Sequence, residues 1–217
     1  MTRAIIVCGG DFSPALLPER RQEDLVIAAD SGYRALKAAG WEPDLTIGDF
    51  DSLGFVPEGA QVLPVRKDDT DLMAACRFAL ERGCDDFLLF GTLGGQRFSH
   101  SVAALQTLGF LAEHGAQAAI IDRRCTVRAV RNGVWHYGSE MRGHLSVLAL
   151  TEATVTLTGL NYNLPPTVLT PCFPLGVSNE FTGQAATVSV EEGSLLLLWE
   201  DKGDFYHELP ILWPQIS

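Results

Sequence analysis

Apolar residues in the first half of the chain fall into short runs that each close on glycine, aspartate or a base. AIIVCGG (4–10), DLVIAAD (24–30), DLTIGD (44–49), QVLPVR (61–66), DFLLFGTLGG (86–95) and AQAAIID (116–122) are such runs. Uninterrupted apolar runs of this length read as buried strands. Between them lie helical patterns, GYRALKAAG and TDLMAACRFALERG. In the second of these, Leu72, Cys76, Ala79 and Leu80 fall on one helical face and Gly83 marks the stop. Strands alternating with helices predict an α/β layer on a mainly parallel sheet, which binds ligands beyond the carboxyl ends of its strands.

The rhythm changes near Cys125. TVRAVRNGVWHYG predicts two strands joined at Asn132-Gly133, a strong hairpin signal. HLSVLAL, TVTLTGL, AATVSV and SLLLLWE predict further strands, and the Pro-rich NLPPTVLTPCFPLG predicts an ordered loop. The expected organisation is an α/β domain over residues 1–124 and an all-β domain, a small sandwich or barrel, over 125–217.

Charge narrows the partners. With 16 basic and 27 acidic residues the net charge is −11, a poor footprint for nucleic acid or an anionic membrane. No apolar run approaches the length of a membrane span, and the first is too short for a signal-peptide core. Cys8, Cys76, Cys84, Cys125 and Cys172 are odd in number, widely spaced and without a CxxC pair. They predict neither disulfides nor a zinc site, and fit a cytoplasmic location.

The polar residues at the strand ends carry the chemistry. One strand delivers Asp30, the next Asp49 and Asp51, a third Asp68, Asp69 and Asp71, and a fourth Gly91, Gly94 and Gly95 followed by Arg97 and His100. Residues i and i+2 of an extended segment share a face, so Asp49 and Asp51 can reach one cation together. Mg²⁺ takes such hard oxygen ligands alongside phosphate oxygens, glycines let backbone N–H groups approach phosphate, and an arginine can fork onto it. Each signal alone has a plainer explanation: an acidic turn, a helix start for Asp68, Asp69 and Asp71, a tight turn for Gly94-Gly95. Gathered at one sheet edge, several carboxylates repel unless a cation unites them.

In this order, AADSGYRAL, PDLTIGDFDSL, KDDTDLMAA, GTLGGQRFSHSVAAL and GVSNEF resemble the thiamine pyrophosphokinase (thiamine diphosphokinase) family. The resemblance implies an N-terminal α/β catalytic domain, a C-terminal β-sandwich that binds thiamine, and a homodimer with its active site between subunits. It implies Mg²⁺ and ATP phosphates held by Asp30, Asp49, Asp51 and Asp71, with Asp49, Asp51 and Asp71 as metal ligands. Lys67, Asp68, Gly94, Gly95, Arg97 and His100 would lie on the nucleotide side, and Asp71 is the candidate to orient the attacking hydroxyl. Ser178 and Asn179 would meet the aminopyrimidine of thiamine, and Trp199 would stack on its thiazolium.

The chain departs from the family pattern at Ser31, where glycine is usual, and at GGQRFSH. There Gln96 reads as an insertion, Ser99 replaces a carboxylate and Ala104 replaces an asparagine in the following helix. Three functions follow from the sequence: pyrophosphoryl transfer from ATP to thiamine; the same transfer to another heterocyclic alcohol such as a hydroxymethyl-pterin; and a catalytically lapsed thiamine- or nucleotide-binding protein.

Overall fold

A computed structural model describes residues 2–64, 69–95 and 97–200, and the backbone of 215–216. The chain divides into two compact units, Met1–Arg123 and Arg124–Ser217. Lys67, Asp68 and Gln96 lie outside the described residues.

In the first unit, strands β1 (Thr2–Val7), β2 (Leu25–Ala29), β3 (Leu45–Gly48), β4 (Gln61–Val62), β5 (Cys84–Phe90) and β6 (Gln117–Ile121) form a sheet of order β6-β5-β1-β2-β3-β4. All five pairings are parallel. Helices α1 (Gly32–Ala38), α2 (Asp71–Glu81) and α3 (Phe98–Glu113) connect and cover it. Ile5, Ile6, Ile27, Phe87, Leu88, Leu89 and Ile120 are fully buried. A sheet covered on both faces needs such continuous apolar strands, and each large side chain contributes roughly 1.5–3 kcal/mol by burial.

Helix α2 starts where its sequence says it should. Thr70 caps it by accepting a hydrogen bond from the Met73 amide at 3.1 Å. It buries Leu72, Ala75, Cys76 and Ala79, and ends before Gly83 at φ 79°. The expected buried strand QVLPVR is different: β4 spans two residues, both exposed, at the sheet edge. Among the described residues β4 pairs with β3 alone, and Pro64 cannot donate to a ladder; Val65 and Arg66 of the expected strand lie outside the described residues.

The second unit contains only strands among its described residues: β7 (Thr126–Tyr137), β8 (His144–Ala149), β9 (Ala153–Thr158), β10 (Leu164–Leu169), β11 (Gly176–Glu180), β12 (Ala186–Glu200) and β13 (Gln215–Ile216). Their pairings are antiparallel. Asn132-Gly133 is not a hairpin. It lies inside the single strand β7: Gly133, at φ 146°, pairs with Val190, Arg131 pairs with Ser194, and Asn132, at φ 37°, stands opposite Glu191–Gly193 of β12. AATVSV and SLLLLWE are likewise one strand. The shared bulge bends both strands. It also lets β12 change neighbour, pairing with β9 over Thr187–Glu192 and with β8 over Leu195–Glu200. The local turn chemistry of Asn-Gly was legible; its use as a corner within a ladder depends on strands distant in sequence.

Part of the Pro-rich segment is also a strand. Among the described residues β10 pairs with β9 alone, and its exposed Pro165 and Pro166 occupy an edge where an N–H is not required. Val147, Val155, Leu157, Val188, Leu195 and Leu197 make the core of this unit.

Candidate cation and phosphate site

The loop after β3 is held by its apolar residues and presents its polar ones. Phe50 and Leu53 are both 3 % exposed, whereas Asp51 and Ser52 are exposed. The Leu53 and Gly54 amides donate to the Phe50 carbonyl, and Arg34 of α1 donates to the Leu53 carbonyl at 2.5 Å. Phe50 takes φ 58°, a left-handed conformation that a bulky residue adopts only when its surroundings impose it. Phe50 is buried, and the carboxylates on either side of it stay close together. The Asp51 amide donates to Asp49 Oδ1 at 3.3 Å.

Asp30 reaches the same point from the end of β2. Its φ is 49°, and its amide donates to the Ile47 carbonyl at 2.9 Å, extending the β2–β3 ladder by one bond. Oxygens of Asp30, Asp49 and Asp51 lie within 4.8 Å of one another. Ser52 donates to Asp30 Oδ2 at 2.5 Å, while Asp30 Oδ1 is buried and has no hydrogen-bond partner among the described residues. A buried carboxylate oxygen without a donor is costly, and two neighbouring carboxylates add repulsion. An all-carboxylate donor set with one such oxygen fits a hard divalent cation, Mg²⁺ above all.

Beside this cluster is a cavity of about 380 Å³, wholly within the first unit. Asp30, Asp71, Gly94, Gly95, Arg97 and His100 all line it. Asp71 opens α2 and is not one of the three residues whose oxygens converge. It sits near Cys8: burial first, then the Asp71 and Asp30 charges, push the Cys8 thiol up to about 12. Arg97 and His100 are exposed.

Two glycine loops form the floor. Cys8 donates to the Phe90 carbonyl, Gly10 to Gly91 and Asp11 to Leu93, at 2.9, 2.7 and 3.0 Å, so the ladder between β1 and β5 continues past both strand ends. The fit requires glycine. A Cβ on Gly91, at φ 60°, would stand 2.4 Å from the Cys8 carbonyl oxygen. Sequence reasoning identified Gly91, Gly94 and Gly95 but missed Cys8-Gly9-Gly10, Ser52 and Thr92, which line the cavity as well. The signal for the first was present, a Gly-Gly pair directly after a buried strand. Ser31 lies over Gly9, where a Cβ would meet its Oγ at 1.8 Å.

The remaining residues singled out in the sequence belong to the second unit. Ser178 is exposed with φ 59°, and its amide donates to Ser146 Oγ at 3.0 Å. Asn179 is 4 % exposed and its amide serves the main chain. Oδ1 accepts from the Tyr162 and Glu180 amides, both at 2.9 Å, and Nδ2 donates to the Tyr162 carbonyl at 2.7 Å. Its side chain therefore pins the 160–163 turn to β11. Trp199 packs its ring on the core, and its Nε1 donates to the Arg142 carbonyl at 2.7 Å.

Comparison with known proteins gives a consistent picture. The family profile described as the thiamin pyrophosphokinase catalytic domain matches residues 19–120, and that of the vitamin B1 binding domain matches 136–195. The thiamine pyrophosphokinase of Bacillus subtilis (strain 168) is 30 % identical over 206 residues, covering 89 % of this chain and 96 % of that protein. The crystal structure of thiamine pyrophosphokinase from Bacillus subtilis superimposes with a TM-score of 0.81 at 28 % identity, covering 93 % of this chain and 100 % of the other. That of the thiamin pyrophosphokinase from Geobacillus thermodenitrificans gives 0.77 at 26 % identity, covering 93 % and 99 %.

Proposed function

Because the chain belongs to the thiamine pyrophosphokinase family, we propose that it transfers the pyrophosphoryl group of ATP to the hydroxyl of thiamine, giving thiamine diphosphate and AMP. The observation that carries this reading is the convergence of Asp30, Asp49 and Asp51, with one Asp30 oxygen unpartnered among the described residues, beside a glycine-lined cavity.

The thiamine hydroxyl attacks the β-phosphorus, the bond from that phosphorus to the α-phosphate oxygen breaks, and AMP leaves with the electron pair. The protein's part is positioning and relief of charge. Mg²⁺ bound by Asp30, Asp49 and Asp51 would neutralise phosphate oxygens there. Glycine-loop N–H groups and Arg97 would hold the phosphates, with His100 beside them. Asp71, which also lines the cavity, would orient the hydroxyl and complete the metal's surroundings. The thiamine hydroxyl's proton would pass to solvent, since a loose phosphoryl-type transition state asks for positioning and charge relief more than for a strong base.

The first unit would thus be the catalytic domain and the second, as the family's β-sandwich, the thiamine-binding domain. Ser178 and Trp199 are the contacts expected there. Asn179 would act by holding β11 in place, since its amide is already committed. A homodimer with the site completed between subunits follows the family, and five free thiols suit the cytoplasm. Family membership favours thiamine over a pterin alcohol, and the intact carboxylate cluster argues against a lapsed enzyme. Purified protein supplied with Mg-ATP and thiamine should yield equal amounts of thiamine diphosphate and AMP. ADP as the nucleotide product, or AMP formed with a hydroxymethyl-pterin and not with thiamine, would overturn the assignment.

A further inference from the structure

Asp30 carries two oxygens with opposite situations. Oδ2 receives the Ser52 hydroxyl at 2.5 Å, and Oδ1 is buried without a partner among the described residues. We infer that Ser52 is a positioning residue: its hydrogen bond to Oδ2 fixes the orientation of the Asp30 carboxylate beside Asp49 and Asp51. The inference rests on the proposed cation site and adds to it a residue that binds neither cation nor substrate.

The need for such a device is visible in the backbone. Asp30 takes a left-handed conformation at φ 49° just past the end of β2. Its amide is tied to the Ile47 carbonyl, which fixes the main chain, but among the described residues its side chain has only the Ser52 hydroxyl as a partner. A lone carboxylate beside two others would rotate away to relieve repulsion. A hydrogen bond to a charged acceptor is strong enough to oppose that rotation.

The position of Ser52 is itself determined. The next residue, Leu53, is 3 % exposed, and its carbonyl receives Arg34 from α1. The hydroxyl is therefore presented from a loop anchored by burial on one side and by a cation from a different element on the other. Asp49, Asp51 and Ser52 share this loop, so the bond to Asp30 also couples the end of β2 to the end of β3. The main chains there are already joined by the Asp30 amide on the Ile47 carbonyl, and the Ser52 bond adds the side-chain link.

The test uses the full chain and Mn²⁺ as a paramagnetic stand-in for Mg²⁺, read by electron paramagnetic resonance of free Mn²⁺. Ser52→Ala should weaken Mn²⁺ binding about tenfold, the size expected for losing one hydrogen bond to a charged group. Ser52→Thr, which keeps the hydroxyl, should restore most of it. The melting temperature of the metal-free Ser52→Ala protein should match the parent, because the bond is solvent-exposed and orients a side chain rather than supporting the core. Unchanged Mn²⁺ affinity in Ser52→Ala, or equal losses in Ser52→Ala and Ser52→Thr, would overturn the positioning role. Failure of the parent protein to bind Mn²⁺ would instead overturn the cation site, and this inference with it.

Discussion

Gly48 and Asp30 are in backbone contact: a Cβ on residue 48 would stand 3.0 Å from the Asp30 Cα and 3.1 Å from its amide nitrogen. The last residue of β3 is thus glycine because the neighbouring strand turns over it to present a carboxylate. Gly48→Ala forces the two strand ends apart and should cost about 1–3 kcal/mol of stability. It should also displace Asp30 from Asp49 and Asp51, so loss of cation binding should exceed what the lower stability explains. Urea unfolding together with Mn²⁺ titration of the folded protein checks both. Normal binding in a destabilised variant would show that Asp30 tolerates the shift.

The carboxylate cluster predicts a trade of stability against function. Without a cation, Asp51 repels Asp30 and Asp49, whose oxygens lie within 4.8 Å of its own. Asp51→Asn removes that repulsion while keeping the shape. The variant should melt at a higher temperature than the parent in chelator, by an amount equivalent to about 0.5–1 kcal/mol since Asp51 is exposed. It should lose most pyrophosphoryl transfer, and added Mg²⁺ should stabilise it less than the parent. A lower melting temperature in chelator would mean the three charges are not in repulsion.

How much of this was legible follows the range of the interactions. The strand-end aspartates were readable because an apolar run that stops on Asp marks both the strand and its end, and the spacing of Asp49 and Asp51 is local. Helix α2 was readable from Thr70 to Gly83 for the same reason. Ser52 was not, because its partner Asp30 is 22 residues away and a serine after Asp-Phe-Asp has many uses. Cys8-Gly9-Gly10 was read as the end of a strand, since only the β1–β5 pairing shows that it lies against Gly91. Asn132-Gly133 misled because its preference for left-handed backbone serves a hairpin or a bulge equally well. Asn179 was legible as important, but its bonds to Tyr162 and Glu180 depend on the fold of the second unit.

The first unit contains a buried ion pair whose loss should be severe. Arg3 and Asp24 are 4 % and 6 % exposed. Arg3 donates to both Asp24 oxygens, at 2.9 and 2.6 Å, and to the Glu19 carbonyl at 2.9 Å, while Asp24 also accepts from the Arg21 amide. Arg3→Met leaves the Asp24 charge buried and should cost about 3–5 kcal/mol. The double variant Arg3→Met with Asp24→Leu should recover much of that loss, because the uncompensated charge is gone. Both lie away from the cavity lining, so the folded fraction of either should bind Mn²⁺ as the parent does. Chemical denaturation of the single and double variants measures the difference, and a single variant within 1 kcal/mol of the parent would contradict the estimate of about 3–5 kcal/mol.

Alkaline pH should loosen the protein through groups held neutral inside it. Burial, with the Asp71 and Asp30 charges, raises the Cys8 thiol from 9.0 to about 12, and burial raises the Tyr137 phenol from 10.0 to about 12. Both folded values lie above the unfolded ones, so above each unfolded value the unfolded chain holds fewer protons than the folded one. Stability from these groups is therefore complete below pH 9 and is lost as pH rises toward 12. Tyr137→Phe should flatten the decline between pH 10 and 12 and leave the region just above pH 9 unchanged. Cys8→Ala should flatten it from pH 9 upward, because its unfolded thiol ionises first. Melting temperatures of the parent and both variants across that range separate the two contributions. A parent curve that stays level to pH 12 would show that neither group is held neutral by the fold.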